Sequence, residues 1–202
     1  MTKIKFCGLT RTCDIEAANE LKPAYVGFVF APKSRRYLTP EKAATFKHLL
    51  DPHIQAVGVF VNESPEKIAR LLDCGIIDMV QLHGREDEAY IGRLRRLTDR
   101  PILQAFRIES ADDLIAAERC TADLILLDSG AGTGTVFDWK LIQNINRPYF
   151  LAGGLSPANV GKAIATCHPF AVDVSSGIET DGVKDKTKMA AFAAAVRKED
   201  HL

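Results

Sequence analysis

The side chains in this sequence most able to do chemistry are one thiol, one carboxylate and a few cations, set among two glycine-rich turns. Cys7 stands in KFCGLT and Asp128 in LLDSG. A thiol can serve as nucleophile or base, and a carboxyl group as acid or base. Each alone has an ordinary structural reading, a small buried side chain or a loop cap. As a pair facing each other across one cavity they can manage two protons on one substrate, one donating while the other accepts. LAGGLSP at 151–157 puts Gly153 and Gly154 between an apolar run and a helix start at Ser156-Pro157, and VSSGIE at 174–179 places Ser175, Ser176 and Gly177 in the same way. Backbone amides in such turns can point at a phosphate, helped by a helix N-terminus. The plain alternative is two tight turns that need positive φ. Two of them in succession favour phosphate.

The cations and the remaining carboxylate are less decisive. PKSRRYLTP carries Arg35 and Arg36, and a guanidinium turned inward suits bidentate recognition of a substrate carboxylate. Charge alone does not choose between the two. His83 in QLHG has no HxH or HExxH partner, so it reads as a packing or hydrogen-bonding residue, and no metal is expected. Asp173 is a carboxylate inside an apolar run. It can bind substrate hydroxyls or hold the Ser175-Ser176 turn, and the sequence leaves both open.

Eight short apolar runs position these groups: 3–7, 25–30, 56–61, 79–82, 102–106, 124–128, 149–152 and 170–174. Most are continuous rather than alternating, as parallel strands covered on both faces require. Their spacing leaves room for a helix and two loops between each pair. Helix starts are legible at Thr39-Pro40-Glu41, Ser64-Pro65-Glu66 and Ser156-Pro157, each a cap residue followed by proline, and more weakly at Ser110 with Asp113. An alanine-rich helix is expected over 186–198, and Asp138 is expected to cap a helix beside Trp139. Eight strands alternating with helices, without a linker and without GxGxxG after the first strand, predict an α/β fold: a single (β/α)8 TIM barrel, residues 1–202 forming one catalytic domain. In that fold the strands' C-terminal ends carry the active site. Cys7, Arg35 and Arg36, His83, Arg107, Asp128 and both glycine turns all stand at such ends.

Composition narrows the partners. Lys+Arg and Asp+Glu number 26 each, so the formal net charge is +0. Nothing draws the chain to nucleic acid or to an acidic membrane surface. No apolar run suggests a signal peptide or a membrane span, and the five widely spaced cysteines, with no CxxC among them, suggest reduced thiols in the cytoplasm.

The motifs together resemble phosphoribosylanthranilate isomerases of tryptophan biosynthesis. KFCGLT at 5–10, VGFVF at 26–30, PKSRRYLTP at 32–40, VGVFVN at 57–62, VQLHG at 80–84, LLDSGAGTGTVFDW at 126–139, LAGGLSPANV at 151–160 and FAVDVSSGIE at 170–179 follow the family's segments in order. The resemblance implies a cofactor-free Amadori rearrangement of a small-molecule phosphosugar, by a monomer or homodimer. It implies Cys7 as general base and Asp128 as general acid, Arg36 on the anthranilate carboxylate, and turns with Gly154 and Gly177 on the phosphate. His83, Asp173, Gly153 and Ser176 complete the expected substrate site. Thiolate must form at Cys7, and a phosphate nearby opposes it, so helix amides or cations are needed to offset that charge. Ala131 and Thr135 depart from the family's sixth loop, while TDGVKD at 180–185 resembles its closing motif and is expected to add nothing catalytic. The two-carboxylate barrel isomerase of the histidine pathway is a poorer fit, because it expects aspartate where Cys7 stands. A catalytically silent binding barrel has no use for Cys7, Arg36 and Asp128 together. Met1 close before the first strand suggests a free-standing enzyme rather than part of a bifunctional chain.

Overall fold

The computed structural model describes residues 1–128, 139, 142 and 145–199. Eight parallel strands close into a barrel in chain order: β1 (Lys3–Cys7), β2 (Tyr25–Val29), β3 (Gln55–Phe60), β4 (Met79–Leu82), β5 (Ile102–Arg107), β6 (Leu124–Asp128), β7 (Tyr149–Ala152) and β8 (Ala171–Val174). β8 returns to pair with β1, with Lys5 opposite Asp173 and Phe6 opposite Val174. Around the barrel run α1 (Thr12–Leu21), α2 (Pro40–Leu49), α3 (Pro65–Asp73), α4 (Glu88–Arg95), α5 (Ala111–Arg119), α6 (Val160–Cys167) and α7 (Lys186–Glu199). A two-stranded hairpin, β9 (Glu179–Thr180) with β10 (Val183–Lys184), lies between β8 and α7. Among the described residues no helix is long and apolar enough to cross a membrane.

The alternation of each strand sorts its side chains into two cores. Phe6, Phe28, Val80, Ile125, Leu151 and Val172 face outward and pack under the helices. Tyr25, Val57, Met79, Leu103, Leu126 and Phe150 fill the barrel's interior. Above that plug, Cys7, Val29 and Val59 form a small separate cluster toward the strands' C-terminal ends. Burying each large apolar side chain stabilises the fold by about 1.5–3 kcal/mol.

Local chemistry starts the helices. Thr39 and Ser64 accept hydrogen bonds from the amides of Lys42 and Lys67, with proline opening each helix. Ser110 and Asp113 form a reciprocal capping box at α5. The Ser156-Pro157 start is displaced: Asn159 accepts from the Ser156 amide, and α6 begins only at Val160. Ser156 therefore opens a turn that precedes the helix. The expected cap at Asp138 and the departures at Ala131 and Thr135 lie outside the described residues. Trp139 is partly buried against the outer core.

Candidate active site

The strands' C-terminal ends surround a cavity of about 650 Å³, within the range of small-molecule sites. Cys7, Arg36, His83, Asp128, Gly153, Gly154, Asp173 and Ser176 all line it. The sequence expectation of a common mouth is thus met for residues drawn from six strands and the loops that follow them. Gly177 sits just behind.

Two close approaches shape the floor. Gly27 is the register partner of Cys7, and a Cβ there would stand 2.6 Å from the Cys7 Sγ. Gly8 has φ +78, and a Cβ on it would meet the Arg36 Cδ at 2.3 Å. The glycine after Cys7 therefore lets the Arg36 stem cross into the mouth. That settles which arginine turns inward: Arg35 is mostly exposed and does not line the cavity.

Arg36 is not loose. Its Nε donates to Glu179 Oε1 at 2.7 Å and its Nη2 to Oε2 at 2.9 Å, a bidentate pair. Arg35 donates to Oε2 at 2.9 Å, and Lys184 Nζ to Oε1 at 2.7 Å. One nearly buried carboxylate thus holds three cations. Burial would raise Glu179, but the hydrogen bonds from Arg36 and Lys184 outweigh it and hold the group below the usual carboxylate range. The bond to Glu179 pushes Arg36 up, whereas burial pulls Lys184 down despite the same partner.

Lys184 belongs to the segment expected to add nothing catalytic, and it lies behind the cavity wall rather than in the lining. The hairpin folds Lys184 back beneath β8, where Nζ donates to the Ser175 carbonyl at 2.9 Å and its charge acts on Cys7. VSSGIE also differs from its reading. Ser176–Ile178 makes a single 3₁₀ turn, and the next helix starts only at Lys186. The Ser175 turn is held by Lys184 and by its own hydroxyl, which donates to the Cys7 carbonyl at 3.0 Å.

Asp173 lines the cavity, and of its side-chain contacts the one to a charged partner points inward rather than to the Ser175-Ser176 turn. Its Oδ1 accepts from Lys5 Nζ at 2.9 Å inside the barrel. Lys5 has no solvent exposure, and its charge acts on the Cys7 thiol two positions along the same strand. Burial pushes that thiol up; Lys5 and Lys184 pull it down, and the charge of Asp173 pushes it up again. Lys5 and Lys184 are the cations that act against burial at Cys7, and they do not overcome it. Burial would lower Lys5, but Asp173 and Cys7 outweigh it, so Lys5 stays a cation.

Opposite Cys7, His83 Nε2 lies 3.8 Å from Asp128 Oδ2. Gln81 Nε2 sits 3.0 Å from His83 Nδ1, and Gln81 Oε1 is buried without a partner among the described residues. With the amide donating to Nδ1, the proton of a neutral imidazole sits on Nε2 and faces Asp128. Gly153 and Gly154 have φ of 91° and 60°, so this turn does need glycine. It also meets the other turn closely, since a Cβ on Gly177 would lie 1.9 Å from the Leu155 carbonyl oxygen.

Acid–base groups gathered at one end of a closed parallel barrel define the class, a (β/α)8-barrel enzyme. The chain matches the model of the N-(5'-phosphoribosyl)anthranilate (PRA) isomerase family over residues 4–195. It belongs to that family, and so to the isomerases of tryptophan biosynthesis. It is 44% identical over 194 residues to the N-(5'-phosphoribosyl)anthranilate isomerase of Endomicrobium trichonymphae, covering 94% of this chain and 95% of that one. A phosphoribosyl anthranilate isomerase solved with reduced 1-(o-carboxyphenylamino)-1-deoxyribulose 5-phosphate superposes with a TM-score of 0.88 at 37% identity, over 98% of this chain and all of the other. Generated monomers of the dimeric enzyme from Thermotoga maritima superpose with a TM-score of 0.87 at 38% identity, again over 98% of this chain and all of the other.

Proposed function

We propose that residues 1–202 act as one cofactor-free catalytic domain that converts N-(5-phosphoribosyl)anthranilate to 1-(2-carboxyphenylamino)-1-deoxyribulose 5-phosphate, with Cys7 as base and Asp128 as acid. The observation that carries this is the convergence of Cys7, Asp128 and Arg36 on one mouth, beside two glycine turns. A protonated Asp128 gives its proton to the ribose ring oxygen, the bond from that oxygen to C1 breaks, and the anilino nitrogen supplies the electrons that form the Schiff base. Cys7, as thiolate, takes the proton from C2. The electrons of that C–H bond neutralise the iminium, and the resulting enolamine ketonises to product. Arg36, preset by Glu179 and keeping Nη1 for a ligand, recognises the anthranilate carboxylate. The Gly153-Gly154 and Ser176-Gly177 turns offer amides to the phosphate. His83 steadies Asp128, and Asp173 and Ser176 lie where sugar hydroxyls and phosphate reach. The same reading places the enzyme in the cytoplasm, as a monomer or a homodimer like the Thermotoga relative, with no nucleic acid or membrane as partner.

A coupled fluorescence assay tests it, with phosphoribosylanthranilate generated in place and its loss followed. Rapid loss with wild type, and a kcat at least about 100-fold lower in both Cys7→Ala and Asp128→Asn with KM little changed, is the expected result. Wild-type kcat in either variant removes that residue from its role.

A further inference from the structure

We propose that Lys5 is a positioning residue for the base: from inside the barrel it holds the negative charge Cys7 acquires on losing its proton, and Asp173 competes with Cys7 for that one cation. The proposal rests on Cys7 being the base and adds what makes the thiol able to serve.

Lys5 and Cys7 are two residues apart on β1 and so point to the same side of the strand, into the barrel. Asp173 is the register partner of Lys5 on β8. The three side chains therefore gather at the seam where the barrel closes, with Lys5 Nζ 2.9 Å from Asp173 Oδ1 and its charge acting on the thiol two positions along the same strand. Lys5 is wholly shielded from water, just above a plug of Tyr25, Met79, Leu103 and Phe150. Apolar side chains of similar volume commonly replace a buried ion pair without loss of stability. Packing alone therefore does not call for a lysine at this place.

The other charged groups that face Cys7 are already committed. Lys184, from β10, is bound to Glu179 and the Ser175 carbonyl, and Arg36, from the loop after β2, is bound to Glu179. Asp128 and His83 stand across the mouth. Among the described cations that act on the thiol, Lys5 is the one whose carboxylate partner, Asp173, itself pushes the thiol up. Burial of Cys7 opposes thiolate, and so does Asp173, whereas Lys5 favours it. Removing Lys5 and removing the charge of Asp173 should thus act on the thiol with opposite signs, which a merely structural ion pair would not produce.

The test is the rate of iodoacetamide alkylation at Cys7 against pH, read by mass spectrometry on the Cys7 peptide of the intact enzyme, for wild type, Lys5→Met and Asp173→Asn. Lys5→Met should move the midpoint up by about one pH unit or more, a tenfold slower reaction at neutral pH. Asp173→Asn should move it down. Unmoved midpoints, or shifts of the same sign, overturn the proposal. If Lys5→Met fails to fold, the near-isosteric Asp173→Asn decides alone: a downward shift supports the proposal, and an unmoved or upward one defeats it. Turnover in Cys7→Ala is measured beside these. Activity retained there overturns the base assignment, whatever the alkylation shows.

Discussion

Gly177→Ala gives the sharpest test of the two glycine turns as a phosphate grip. The added Cβ would stand 1.9 Å from the Leu155 oxygen, 2.9 Å from its carbonyl carbon and 3.1 Å from the Ser156 Cα, all of them backbone atoms. A comfortable carbon–oxygen contact is about 3.3 Å, so the loops after β7 and β8 must part by roughly 1.4 Å. Amide donors that hold a phosphate oxygen at about 2.7–3.1 Å do not survive such a shift on one side. A hydrogen bond to a charged group contributes about 1.5–3 kcal/mol, so losing one should raise KM roughly 10- to 100-fold. The assay is steady-state consumption of phosphoribosylanthranilate, with inhibition by ribose 5-phosphate measured in parallel and circular dichroism as a check on folding. Gly75→Ala is the control. Gly75 also has positive φ, +67, but nothing lies within 4 Å of its would-be Cβ. It should cost about 1–2 kcal/mol of stability and leave KM alone. A folded Gly177→Ala enzyme with KM within about twofold of wild type would refute the reasoning, because the turns could then separate without loosening the phosphate.

Arg36→Ala should raise KM about tenfold or more and spare kcat by comparison, whereas Arg35→Ala, at a mostly exposed side chain, should change KM little; steady-state kinetics of the two variants reads the difference, and the reverse order would assign the carboxylate to the wrong arginine. Glu179→Gln should destabilise the enzyme at neutral pH by about 1–3 kcal/mol, less than a fully buried pair because solvent reaches Arg35 and Arg36. Since Glu179 lies below its ordinary value of 4.5 in the folded chain, its contribution is complete above that pH and is lost as pH falls through the lower folded value. Urea denaturation of wild type and variant should therefore show a gap at pH 7 that narrows as the pH falls below 4.5; a gap that widens toward acid contradicts the pairing.

The strands were the most legible part of the sequence. Lys3–Cys7, Met79–Leu82, Leu124–Asp128 and Tyr149–Ala152 run as their apolar patterns indicate, because a strand buried on both faces has no polar side to blur its ends. Cap chemistry was equally readable at Thr39 and Ser64, where side chain and proline agree, and misleading at Ser156, where the amides of Asn159 and Val160 bond the Ser156 carbonyl in a turn and the helix opens only at Val160. The missed residues share one cause. Lys5 in KIKFC looks like one of two lysines flanking an isoleucine at an exposed strand start, and its partner lies 168 residues away. Lys184 and Glu179 belong to a hairpin whose fold-back no local pattern announces. A signal for Lys5 did exist: it stands two positions before the candidate base, on the same side of the strand. For Glu179 the only hint was an unpaired carboxylate just after a glycine turn in a chain with two adjacent arginines to place.

The seam between β1 and β8 also bears on how the enzyme comes into being. The remaining barrel pairs join strands that follow each other along the chain, so each forms across a short connection, whereas this one must bring together positions 168 residues apart. Contacts of such long sequence separation carry the largest loop-closure entropy and tend to form late in folding. Until they form, Asp173 is not beside Lys5, and the mouth around Cys7 is open on one side. Secondary structure can therefore return in refolding while catalysis still waits for the two edge strands to meet. A product of synthesis or repair stalled one strand short would keep most of its helices and sheet yet lack the closed mouth that gathers the site residues, so competence arrives with topological closure rather than with any single element.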